Sequence, residues 1–279
     1  MWRYNDFRII DCHVHACHLQ DRASFVFPEI GISEVCCKQG HIVRLQEVQG
    51  DTYKFVCSTC GRLVYSGEDP YRRYNEELLA SSQDNELIFP YVSISPQIKR
   101  DIQYYTNKYG SRGFKLHPNY SSYKIDLCEV PSGILFVIHS GKGEFDNPMR
   151  ILDFARHCQG TVIIAHLGRM NKELFDNIKR IDNVVLECSP VTSLWEAYKN
   201  HTGQVYDASF LGELRSPEEM LQRVMEYVGC EKVVYGSDTP IESASEDLAV
   251  IQKLPTLLKK KILYKNILSL LSLKASGVK

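Results

Sequence analysis

Seven short apolar runs recur along this chain, and each closes on polar or small residues: "FRIIDCH" (7–13), "LIFPYVSISP" (87–96), "GFKLHP" (113–118), "ILFVIHSG" (134–141), "TVIIAHLG" (161–168), "NVVLECSP" (183–190) and "KVVYGSDTP" (232–240). Runs of this length read as strands buried on both faces. Between them lie helical patterns such as "PYRRYNEELLASS", "NPMRILDFARHC", "NKELFDNIKRI" and "SPEEMLQRVMEYVG". Several open on a capping Asn or Ser, and Pro217 falls in a first turn. Strands alternating with helices make βαβ units on a parallel sheet, and seven or eight units in about 250 residues close into a (β/α)8 barrel. "GRLVYSG" (61–67) is the candidate for the remaining strand, second in the barrel. All 279 residues then form one α/β domain.

Residues 33–62 have a different character. Two alternating runs, "IVRLQEV" and "TYKFV", flank "QGD" and read as a β-hairpin. Cys57 and Cys60 form a "CSTCG" knuckle, and Cys36, Cys37 and His41 are candidates for the other ligands of a structural zinc. Four ligands suffice, so one of these three is spare. Adjacent cysteines point opposite ways on an extended segment, which favours one of them with His41, while a tight turn lets both ligate. The expected element is a zinc-ribbon-like insertion after the first strand, shaping access to the active-site face. The other cysteines, Cys12, Cys17, Cys128, Cys158, Cys188 and Cys230, read as buried small hydrophobes.

A formal net charge of −1 argues against a general binder of nucleic acid or membrane surfaces, which needs a basic surplus. A small-molecule substrate fits better. The N-terminal "MWRYNDFRIID" is charged throughout, and no later stretch approaches the roughly 20 apolar residues of a membrane span. The expectation is a soluble cytoplasmic protein, with a homodimer as the commonest assembly for such a chain.

In a parallel barrel the C-terminal strand ends line one face, where active sites are built. The residues there are His13 and His15 on the first strand, Lys115 and His117 on the fourth, His139 on the fifth, His166 on the sixth, Glu187 on the seventh and Asp238 on the eighth. Alternate residues on a strand face the same way, so His13 and His15 share a cavity. Two imidazoles from one strand, a third from another and a carboxylate suit zinc or a similar divalent ion.

The set "DCHVH", "VIHSG", "IIAHLG" and "YGSDTP" resembles the amidohydrolase superfamily, in the branch of metal-dependent TIM-barrel hydrolases and decarboxylases related to aminocarboxymuconate-semialdehyde decarboxylase. "KNILSLL" is similar to that branch's last helix. The resemblance implies that His13, His15, His139 and Asp238 hold a divalent metal, zinc first and manganese or iron as alternatives. His166 is then a neighbouring acid or base, and Asp238 serves as ligand, proton shuttle or both. Superfamily members with two metals place a carboxylated lysine where Lys115 stands. In the better-matching branch a "KLHP"-like segment accompanies one metal, and Lys115 and His117 would then meet the substrate. Arg169 is a candidate anion contact. The superfamily's DNase branch, with a similar "HVH" opening, is a worse match, since it has a glutamate in a "GEIG"-like fourth strand where this chain has "GFKLHP", which argues against nuclease activity.

The leading expectation is hydrolysis of an amide, lactone or ester-like bond, because a metal lowers the pKa of bound water to about 7. The alternative is nonoxidative decarboxylation of an unsaturated or aromatic acid, with Lys115 or Arg169 on the carboxylate. A third reading makes the ribbon a protein or nucleic-acid docking module.

Overall fold

The computed structural model describes residues 3–4, 7–15, 52–57, 72–83, 88–94, 98–118, 130, 132–238, 242 and 244–275. The strands are β1 (Arg3–Tyr4), β2 (Phe7–His15), β3 (Thr52–Cys57), β4 (Ile88–Ser93), β5 (Gly113–Leu116), β6 (Leu135–Ile138), β7 (Thr161–Ile164), β8 (Val184–Glu187) and β9 (Val233–Val234), hydrogen-bonded in chain order. β1 turns back antiparallel on β2, and β2 to β9 run parallel. The sheet closes on itself where the Cys12 amide donates to the Tyr235 carbonyl at 3.0 Å and the Asp238 amide donates to the His13 carbonyl at 2.8 Å. Eight parallel strands thus form the expected barrel. Around them run α1 (Arg72–Gln83), α2 (Ile98–Tyr109), α3 (Pro148–His157), α4 (Lys172–Ile178), α5 (Val191–Lys199), α6 (Pro217–Val228), α7 (Ala244–Gln252), α8 (Thr256–Lys260) and α9 (Asn266–Ala275). No helix among the described residues is long and apolar enough to cross a membrane.

The continuous apolar runs have the expected cause, since each strand packs on two sides. Ile10, Cys12, Tyr91, Leu135, Val137, Ile163, Val185 and Val234 fill one cluster inside the barrel. Their neighbours Ile9, Val92, Phe114, Phe136, Ile138, Val162, Ile164, Leu186 and Val233 pack outward against the helices. Helix starts follow the sequence signals. The Asn147 side chain accepts the Met149 amide at 2.9 Å ahead of Pro148, and Ser216 accepts the Glu219 amide at 3.3 Å ahead of Pro217.

The second strand corrects the sequence reading. Thr52–Cys57 pairs in parallel with β2 on one side and β4 on the other, so "TYKFV" is a barrel strand and not the return arm of a hairpin. "GRLVYSG" lies outside the described residues, as do Cys36, Cys37, His41 and Cys60. Cys57 closes β3, its backbone in register with His15, at the end of the barrel that carries the site. Cys12, Cys158 and Cys188 are buried thiols as expected, and Cys230 is half-buried.

Candidate metal centre and active site

The site begins with a defect in β2. The β2–β3 register shifts between Asp11 and Val14, a bulge that adds a residue to β2. Ile10 and Cys12 belong to the inner cluster, and His13 and His15 still project inward beyond them because the bulge re-aims the strand end. Asp11 pins the distortion. Its Oδ1 accepts the amides of His13 at 3.2 Å and Ser237 at 3.0 Å, tying β2 to the chain after β9. Asp238 follows with φ 54°, a left-handed conformation that Asp tolerates better than most residues.

These features bring three donors together. His15 Nε2 is 2.8 Å from Asp238 Oδ1, and His13 Nε2 is 3.3 Å from the same oxygen. The three residues are buried, and their ligand atoms lie within 4.8 Å of one another. Ligands on a tetrahedral ion with bonds of about 2.0–2.1 Å sit roughly 3.3 Å apart, so the spacing suits a divalent metal. Two neutral imidazoles and one carboxylate suit its chemistry.

Lys115, fully buried, places Nζ 2.7 Å from His13 Nε2. The remaining imidazoles complete a ring above the barrel interior. His117 lies between His15 and His139, with centroid distances of 5.8 and 5.6 Å, and His139 packs edge-on to His166 at 4.7 Å. His139 Nδ1 is 3.0 Å from His166 Nε2, and His166 Nδ1 donates to the Ser189 carbonyl at 2.9 Å. Because a carbonyl only accepts, neutral His166 keeps its lone pair on Nε2 and accepts a hydrogen bond from His139 Nδ1. His139 Nε2 is then the acceptor end of the chain, 3.9 Å from Asp146 Oδ2.

His166 opens a turn of unusual handedness. Residues His166, Leu167, Gly168, Arg169 and Met170 all have φ between 49° and 60°. Only one is glycine, and each of the others disfavours this region by about 1–2 kcal/mol. Residues three apart eclipse in a turn of this pitch, which sets His166 and Arg169 on the same side. Bonds to neighbouring segments hold the turn in place, among them Arg169 Nε donating to the Ser140 carbonyl at 2.9 Å and the Tyr206 amide donating to the Arg169 carbonyl at 2.9 Å. The segment carrying Tyr206, between α5 and α6, also meets the loop after β6, where Lys142 Nζ donates to the Val205 carbonyl at 3.2 Å.

Burial dominates the electrostatics. It holds His13 down to about 3, helped by the Lys115 charge and opposed by Asp238. It lowers His15 against the pull of Asp238, and lowers His117 with help from Lys115. It lowers His139 and His166 strongly, with the Arg169 guanidinium the next cause for both. Burial alone would raise Asp238, but His13 and His15 overcome it and keep its carboxyl well below the usual range. Glu187, Glu242 and Asp247 are pushed up to about 7 by burial.

These shifts set the stability of the metal-free protein. Below an ordinary pKa of about 6.5 the unfolded chain protonates five histidines that the folded chain keeps neutral, which raises stability as pH climbs toward that value. The four raised carboxyls, these three and Asp146, which burial also lifts, act oppositely, since unfolding releases their protons above about pH 4.5. Five against four leaves a net rise, so the urea midpoint of metal-free protein is expected to increase from about pH 4.5 to 6.5. A flat or falling midpoint would contradict a neutral histidine ring.

Of the residues singled out in the sequence, His13, His15, Lys115, His117, His139, His166, Arg169 and Asp238 come together here. Glu187, which the sequence offers either as orienting a ligand or as a paired carboxylate facing the barrel interior, lies fully buried against His13, and the sequence reading assigns nothing to Asp146. For Asp146 a signal existed: "HSGKGEFDNP" sets two glycines just ahead of it. A Cβ on Gly141 would stand 2.3 Å from Asp146 Oδ2, and the Gly143 amide donates to Oδ1 at 2.9 Å.

An eight-stranded parallel barrel with histidines and an aspartate converging at its C-terminal mouth defines a metal-site barrel enzyme. The chain belongs to the amidohydrolase family, whose model matches residues 10–273. No curated protein sequence matches it. Among solved structures it is similar to 2,6-dihydroxybenzoate decarboxylase from Rhizobium, at 11% identity and TM-score 0.60 over 96% of this chain and 99% of that one. It is also similar to dihydroxybenzoic acid decarboxylase from Polaromonas sp. JS666 with bound manganese and the inhibitor 2-nitroresorcinol, at 12% identity and TM-score 0.57 over 96% and 97%. A candidate 2-pyrone-4,6-dicarboxylic acid hydrolase from Pseudomonas putida is similar at 13% identity and TM-score 0.57 over 97% and 98%.

Proposed function

We propose that this protein is a metal-dependent decarboxylase acting on an aromatic or unsaturated carboxylic acid. The observation that carries the reading is Arg169. Its Nε donates to the Ser140 carbonyl, next along the chain from His139, the turn that carries it opens on His166, and after burial its charge is the next cause lowering both imidazoles. A guanidinium so placed suits a planar carboxylate, which it binds through paired N–H donors. The similarity to two dihydroxybenzoate decarboxylases agrees with this choice.

His13, His15 and Asp238, with His139 Nε2 as the next available donor, are the residues that would hold the ion. When bound, a divalent cation supplies Lewis-acid charge to the substrate oxygens. The chain does the rest. Arg169 orients the carboxylate, with Lys115 as a second cation deeper in the barrel. Loss of carbon dioxide breaks the C–C bond and leaves an electron pair on carbon, which must take up a proton. Asp238, hydrogen-bonded to His15, is the residue placed to relay it from solvent.

Hydrolysis remains a second reading, supported by the similarity to the pyrone dicarboxylic acid hydrolase. Manganese-loaded protein incubated with hydroxybenzoates in ¹⁸O-water separates the two. Decarboxylation releases carbon dioxide and leaves the organic product free of the label, whereas ¹⁸O in the product without carbon dioxide release would overturn the decarboxylase reading in favour of hydrolysis.

A further inference from the structure

We propose that Glu187 is a positioning residue that sets the tautomers of two site imidazoles, His13 directly and His166 through the Ser189 peptide. Glu187 ends β8, fully buried, and accepts three hydrogen bonds. Oε2 takes His13 Nδ1 at 2.9 Å and the His166 amide at 3.3 Å, while Oε1 takes the Ser189 amide. A carboxylate is the one side chain that accepts on both of its terminal oxygens.

The consequence for His13 follows from the nearest neighbour of each ring nitrogen, Asp238 Oδ1 lying farther from Nε2, at 3.3 Å, than Lys115 Nζ does, at 2.7 Å. Lys115 Nζ is a donor and faces Nε2, whereas the Glu187 carboxylate is an acceptor and faces Nδ1. The proton therefore sits on Nδ1, and the Nε2 lone pair faces Lys115 Nζ and the position a metal would take beside His15 and Asp238. For His166, the Glu187 bond to the Ser189 amide fixes the peptide strand whose carbonyl, two atoms along the same residue, accepts His166 Nδ1. One carboxylate thus aims both lone pairs toward the site.

The barrel is built around this contact. A Cβ on Gly236 would lie 2.6 Å from the His13 Cβ and 2.7 Å from the Glu187 Cγ, so only glycine lets the pair approach. His13, His166 and Glu187 also cluster as a group able to hold an ion. The direct 2.9 Å bond occupies His13 Nδ1, however, which marks the group as a hydrogen-bonded support for the site. The inference is independent of which bond the enzyme breaks.

The test uses full-length, metal-free protein with ¹⁵N-labelled histidine, whose two-bond ¹H–¹⁵N correlations report the tautomer of each ring, assigned with His13→Gln and His166→Gln. In the wild type both rings are expected as the Nδ1–H tautomer. Glu187→Gln keeps the volume but replaces one acceptor with a donor. It is expected to remove the single-tautomer signature from both rings and to raise the cobalt(II) dissociation constant about 10–100-fold. Gly236→Ala, which keeps the carboxylate but wedges it away from His13, is expected to release His13 in the same way. A wild-type His13 protonated on Nε2 would overturn the proposal even if neither variant folds. So would unchanged tautomers and cobalt affinity in Glu187→Gln, and a change at His13 alone would overturn the His166 part.

Discussion

Replacing His13 by Ala is expected to lower kcat/KM by a factor of roughly 10³ or more, because a bound metal contributes several kcal/mol of charge stabilisation and each 1.36 kcal/mol is tenfold in rate. The same change should also destabilise the metal-free protein. His13 bonds Glu187 on one side and faces Lys115 on the other, all three fully buried. Truncation leaves a buried acceptor and a buried donor facing a void, at a cost of about 1–3 kcal/mol for each group left unsatisfied. Urea unfolding without metal measures the structural part, and rates with saturating manganese measure the catalytic part. A variant that still binds one metal per chain and keeps wild-type rates would remove His13 from the site.

Arg169→Met should act on a different quantity. If the guanidinium holds a substrate carboxylate, its loss costs about 2–3 kcal/mol of binding, or ~30–150-fold in KM. Metal content should not change, since Arg169 donates to the Ser140 carbonyl and acts on the ring of imidazoles through its field. That field gives a second signature. Arg169 lowers His139 and His166, so its removal lets both protonate at higher pH, and the acidic limb of the rate profile should move upward. An unchanged KM with an unchanged acidic limb would assign Arg169 to holding the left-handed turn alone.

The residues that were legible are those whose position depends on local pattern. His13 and His15 are two apart at the end of an apolar run, and strand alternation carries both into one cavity, as does "KLH" for Lys115 and His117. What alternation could not reveal is the bulge, which keeps the pair aimed inward after Cys12. β3 was misplaced for an identifiable reason. "TYKFVC" alternates polar and apolar residues, follows a turn signal and ends on a cysteine of a metal-like knuckle, so local chemistry favoured a ribbon over a strand paired on both sides. Glu187 was legible as a strand-end carboxylate, but its partner was not, because His13 lies 174 residues away on another strand. The turn at His166–Met170 was hidden as well, since a single glycine among five residues gives no warning of a left-handed path.

The seam between β2 and β9 ties the site to the order in which the chain folds. Asp238 meets His15 across 223 residues, through a junction that forms only when the first barrel strand finds the last. Loop closure over such a span pays its entropy before any contact rewards it, which makes this a late step. No N-terminal fragment of the nascent chain can assemble the two histidines with their aspartate. A metal ion that binds the three ligands together therefore recognises only the finished barrel, and its uptake during refolding would time the moment of closure.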